Sequence, residues 1–115
     1  MRVCFRSTVR PEDVAEYRRR HAQVWPDMLR ALERSGWQNY SLFLDDDGLL
    51  IGYLECEDYQ ESLALMQLEG INAQWQAHMK DLFNHGEQNP DQGFVVLPEV
   101  FNLAAQLEAA EHSGT

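Results

Sequence analysis

Along residues 3–8 the chain alternates, with Val3, Phe5 and Ser7 on one side and Cys4, Arg6 and Thr8 on the other. A period of two marks a strand with one buried face. The period then lengthens: Val14, Tyr17, His21, Val24 or Trp25, Met28 and Leu32 recur in helical steps. That predicts an amphipathic helix running to about Arg34. Pro11 opens it with Glu12 and Asp13 behind, because proline gives up no bond in a first turn and acids favour the positive end of the helix. Arg30 and Arg34 approach its end, and Ser35-Gly36 stops it. Pro26 interrupts the run. It has no N–H for the Ala22 carbonyl and its ring crowds that turn, so the spacing predicts a kink or break near Trp25. Such a kink, one turn past His21, would open space beside the imidazole.

Alternation returns over 38–44 and 49–55, with Asp45-Asp46-Asp47-Gly48 as the turn between two strands of a hairpin. The three aspartates lack the ligand spacing and distal glutamate of a calcium loop, and read as a solvated tip. Asp58 is placed to cap a second helix. Tyr59, Ser62, Leu63 and Met66 form the inner stripe of that helix, and Gly70 is its expected break. Ile71, Trp75, Met79 and Leu82 then carry helical spacing to residue 83. Residues 85–93 are polar and turn-rich. Residues 94–96 and 100–103 read as extended, 104–111 as a short helix and 112–115 as a frayed end.

The order β, α, β-hairpin, α, β predicts an α+β fold: a ferredoxin-like antiparallel sheet with helices on one face. Residues 1–103 make one domain and 104–115 a C-terminal extension. The strands carry apolar residues on both sides, whereas the helices of one chain cover only one. A second copy packed sheet to sheet is the expected cover, giving a homodimer.

Composition narrows the partners. A chain of 115 residues, 44% hydrophobic and 24% charged, supports one small globular core. Its net charge of −10 argues against a nucleic-acid partner, which needs a basic surface. Arg18-Arg19-Arg20 reads as a solvated, ion-paired helix flank. The longest strongly apolar run, 49–54, cannot span a membrane, and the N-terminus has no signal-like segment. Cys4 and Cys56 form no ligand pattern and fit a reducing cytoplasm. His78 and His85 share no chelating face with a carboxylate, so no metal is expected. No glycine-rich phosphate loop is present.

The candidate chemistry lies on the first helix. His21 is the one residue that combines an interior phase, a pKa range near neutrality and aromatic neighbours, Tyr17 and Trp25. Packing alone accounts for many histidines on such a stripe. The wider pattern separates the two readings. Glu16 to Met28 reads EYRRRHAQVWPDM, and resembles the signature of the L-rhamnose mutarotase family, in which Tyr-x-Arg-Arg-His precedes a Trp-Pro pair. Residues 39–45, 75–81, 89–91 and 99–101 resemble, in order and spacing, that family's second strand, Trp-rich helix, closing loop and last strand. The resemblance covers about residues 1–103. It implies a dimeric α/β barrel that interconverts sugar anomers, on a 6-deoxyhexose and most directly L-rhamnose, without a cofactor. It also implies roles: His21 matches the proton donor, while Tyr17, Tyr40 and Trp75 match sugar-contacting positions. Gln76 stands where relatives commonly carry a second tryptophan, and Asn102 replaces an aromatic or histidine.

The chemistry agrees with these residues. Anomerisation needs an acid at the ring oxygen and a base at the anomeric hydroxyl, with roles that reverse, and an imidazole suits both. Tyr17 can assist His21 or bind a hydroxyl, Tyr40 can donate to one, and Trp25 and Trp75 offer flat faces for a pyranose, with Gln76 beside them. Two other readings share the layout: a dimeric α/β-barrel cofactor-free monooxygenase or haem-handling enzyme, and a non-catalytic sugar-binding domain.

Overall fold

The structure, a computed structural model, describes residues 1–82 and 94–112. Strand β1 (Arg2–Thr8) leads through a 3-10 turn (Pro11–Asp13) into helices α1 (Val14–His21) and α2 (Pro26–Arg34). The hairpin β2 (Gln38–Leu44) and β3 (Leu49–Glu55) follows. Next come α3 (Tyr59–Gln67), α4 (Gly70–Met79) with a 3-10 extension (Lys80–Leu82), β4 (Val95–Leu97) and α5 (Leu103–His112). The strands form one sheet in the order β2-β3-β1-β4, antiparallel throughout, which is the ferredoxin-like arrangement.

Val3, Phe5 and Ser7 of β1 and Leu50, Gly52 and Leu54 of β3 form the buried face, as their alternation predicts. Phe5 pairs with Gly52 across the sheet. A side chain at Gly52 would start 2.1 Å from the Phe5 ring, so the glycine makes room for the phenyl. Gly48 closes the β2–β3 turn at φ +98, with its amide on the Asp45 carbonyl. β2 bulges between Gln38 and Ser41, where Asn39 takes a left-handed φ of 47 and holds Glu55 through its side chain.

The long first helix does not form. α1 ends at His21, and α2 starts at Pro26 after Trp25, whose φ −53, ψ 131 is extended. Proline disfavours helical geometry in the residue before it, and of the kink or break expected here the structure shows a full break. The inner stripe of α2 is therefore rephased: Met28 and Ala31 are buried, and Leu32 is only half-buried.

Gly70 is not the break in the second helical run. The turn falls at Leu68–Glu69 and Gly70 begins α4. Asp58 caps α3 as expected, accepting the Glu61 amide at 3.2 Å.

The last strand is also displaced. Residues 100–103 do not form one: β4 is Val95–Leu97, and Val100 and Phe101 lie in irregular chain, 91% and 60% exposed. Pro98 donates no backbone bond to a ladder, and pairing with β1 ends at Leu97 opposite Cys4. The helix expected over 104–111 forms as α5. The stretch expected to be turn-rich, with His85 and Asn89-Pro90-Asp91, lies outside the described residues.

Candidate active site

The break after His21 shapes the site. His21 is the last residue of α1, and its ring folds back so that Nδ1 lies 3.1 Å from the carbonyl oxygen of Tyr17. A carbonyl only accepts, so in the neutral ring Nδ1 carries the hydrogen and Nε2 is left as the basic atom. The imidazole stacks on Tyr17, with centroids 4.0 Å apart and planes at 17°, and meets Trp75 of α4 edge-on at 5.3 Å and 86°.

Arg20 holds α1 and α4 in this relation. Its guanidinium donates to Glu16 at 2.9 Å on its own helix, and to the His78 carbonyl at 2.7 Å and Asp81 at 3.1 Å on the other. The basic triplet is thus an ion-paired flank, as its composition suggests. Arg19 and Arg20 hold the Glu16 carboxyl down at about 2, and Arg18 reaches Asp46 in the β2–β3 turn.

A cavity of about 340 Å³ opens between these helices and the sheet. His21, Tyr17, Tyr40, Trp75 and Gln76 all line it, so five of the six residues singled out from the sequence meet there. Trp25 does not line it. Four-residue spacing keeps Trp25 beside His21 only on a continuous helix, and the helix has already ended. Val24 takes the wall position instead. Trp25 packs edge-on against Trp75 at 5.0 Å and 86°, and also touches His78 at 5.3 Å.

Sequence reasoning missed several wall residues. Trp37 and Phe94 also line the cavity; Trp37 packs on Tyr40 at 4.9 Å, and Phe94 stacks on Phe5 at 4.3 Å. Asn72 is buried at the wall, four residues before Gln76 and three before Trp75. That helical spacing was the available signal.

Burial sets the protonation of the site. It pushes the His21 pKa below its ordinary value, opposed by the bond to the Tyr17 carbonyl and aided by electrostatic coupling to the neighbouring His78 ring. The ring is therefore neutral at physiological pH. Burial also raises both phenols, Tyr17 and Tyr40, so that they remain protonated donors. A neutral base, two hydroxyl donors and an indole face around one cavity can bind a polyol with an apolar face and move its protons. Among the described residues, no group of three His, Cys, Asp or Glu side chains could hold a metal ion.

Comparison with known proteins identifies the family. The sequence model of the L-rhamnose mutarotase family matches residues 2–103. The L-rhamnose mutarotase of Tolumonas auensis is 37% identical over 107 residues, covering 90% of this chain and 99% of that protein. That of Oceanobacillus iheyensis is 38% identical over 102 residues, covering 86% and 94%. Among solved structures, the L-rhamnose mutarotase of Formosa agariphila superposes with a TM-score of 0.71 at 25% identity, over 90% of this chain and 98% of the other. A candidate antibiotic biosynthesis monooxygenase from Nitrosomonas europaea shares the fold alone, at TM-score 0.57 and 12% identity over 88% of this chain and the whole of the other. With a family match from β1 to the start of α5 and relatives aligned over nearly their full length, this chain belongs to the L-rhamnose mutarotase family.

Proposed function

We propose that this protein interconverts the α and β anomers of L-rhamnose by cofactor-free acid/base chemistry. The observation that carries the reading is His21, neutral and tautomerically ordered, with its basic nitrogen left over at a cavity walled by Trp75, Tyr17 and Tyr40. Nε2 takes the proton of the anomeric hydroxyl as the bond from C1 to the ring oxygen breaks. The Tyr17 phenol, kept protonated by burial, donates a hydrogen bond to the ring oxygen, and solvent supplies the proton with which that oxygen leaves as a hydroxyl. Rotation about C1–C2 presents the other face of the aldehyde. The ring oxygen then attacks C1, returns its proton by the same route, and the imidazolium protonates the new anomeric oxygen. No proton or electron is gained or lost. Catalysis comes from holding both groups in place. Trp75 takes the apolar face of the pyranose, Tyr40 and Gln76 take hydroxyls, and Trp25 backs Trp75. Residues 104–115 stand outside this catalytic unit.

The working unit we propose is a homodimer. Cys4, Ile51, Tyr53, Phe43, Val95 and Leu97 share the sheet face away from the helices, and Phe43 is 61% exposed. Pairing two such faces buries them. Two unpaired thiols, Cys4 and Cys56, fit a cytoplasmic home, and the acidic surface suits no nucleic-acid partner. Magnetisation-transfer NMR between the two anomers of L-rhamnose tests the activity. Exchange faster than the buffer rate is expected, and exchange at the buffer rate refutes it. Binding without exchange would instead favour a sugar-binding domain.

A further inference from the structure

Asn72 and Gln76 form a directed pair whose polarity is fixed by one backbone carbonyl. Asn72 is 5% exposed, and its Nδ2 donates to the Met66 carbonyl at 3.1 Å, near the end of α3. That oxygen can only accept, so the amide of Asn72 cannot be reversed. Its Oδ1 therefore faces Gln76 and must receive a hydrogen. Gln76 meets it with Nε2 at 3.1 Å. The Oε1 of Gln76 is then the end turned away from Asn72, and it has no partner among the described residues, although Gln76 is half-buried at the cavity wall. A half-buried acceptor without a partner is costly, and a ligand hydroxyl can satisfy it.

We infer that Gln76 is a specificity-determining residue that accepts a hydrogen bond from one secondary hydroxyl of the sugar, and that Asn72 is its positioning residue. This rests on the sugar-binding reading above. Gln76 follows Trp75 on α4, and Trp75 touches His21. A pyranose lying on Trp75 with C1 at His21 extends its other hydroxyls along the same helix. Asn72 acts through Gln76 alone: without it the glutamine amide can rotate and offer a donor where the sugar needs an acceptor.

The test compares L-rhamnose with its 2-, 3- and 4-deoxy analogues on the parent protein and on Gln76→Met, which keeps length and removes both polar atoms. One analogue is expected to raise KM roughly three- to tenfold on the parent, the worth of one neutral hydrogen bond, and to lose that penalty on Gln76→Met. For L-rhamnose itself, Gln76→Met raises KM with kcat within about twofold. Asn72→Leu shifts KM in the same direction and adds nothing in the Gln76→Met background. Asn72→Ser replaces it if the leucine variant fails to fold. Equal penalties for every analogue on both proteins would overturn the role of Gln76, and additive effects of the two substitutions would overturn that of Asn72. A parent protein that exchanges no anomers at all refutes the proposed function, a result distinct from either.

Discussion

At the scale of single residues, the site depends on which atom of His21 is left free. The Tyr17 carbonyl claims Nδ1 and leaves Nε2 as the base. His21→Ala is expected to slow anomer exchange by two to four powers of ten while circular dichroism stays native; exchange at the parent rate would remove His21 from the chemistry. The depressed pKa of His21 also fixes a pH dependence. With the neutral ring as the proposed base, kcat/KM should fall on acidification with a limb below pH ~6.5, the ordinary histidine value. The same shift governs stability. Above pH ~6.5 the ring is neutral in folded and unfolded chains alike. Below it the unfolded chain takes the proton first, so stability declines until the folded ring is protonated too. A profile limb above pH 7 would contradict the burial of the ring. Trp75, 6% exposed and edge-on to His21, is the apolar face we propose for the sugar. Trp75→Ala should raise KM more than it lowers kcat, and an unchanged KM would place the sugar elsewhere.

At the scale of elements, the break between α1 and α2 matters most. A continuous helix would have set Trp25 beside His21; the break sets Val24 there and sends Trp25 behind Trp75. Most elements were legible in local pattern. The alternation of β1 and β3, the Asp58 cap and the turn at Gly48 all depend on neighbours within a few residues. What was not legible depended on longer contacts. Whether 94–97 or 100–103 joined the sheet was settled by register against β1, not by local propensity, since Val100-Phe101 is as apolar as Val95-Val96. Gly48 gives a test at this scale. A methyl there would start 2.0 Å from the Val9 carbonyl oxygen and the φ is +98. Gly48→Ala should cost more than about 1 kcal/mol in urea unfolding. A loss within error would mean that the turn relaxes freely.

At the scale of the whole molecule, one sheet face is covered by helices and the other carries Phe43, Ile51, Tyr53, Val95 and Leu97. Sedimentation equilibrium at micromolar protein should give twice the 13.3 kDa chain mass. The charge of −10 per chain opposes association, so added salt should tighten the dimer slightly. An active 13.3 kDa species would exclude the pairing. The sequence by itself determined the element order, the inward faces of the strands, the histidine on an apolar stripe and the aromatic character of its surroundings. Each of these follows from chain period or residue chemistry, which act over one or two turns. The tertiary structure alone decided that Trp25 leaves the cavity while Trp37, Phe94 and Asn72 enter it. It also decided that Gln76 turns its amide nitrogen toward Asn72 and its oxygen away. Those outcomes depend on a carbonyl at the end of α3 and on how the helices cross the sheet, contacts between segments distant in sequence that no local pattern encodes.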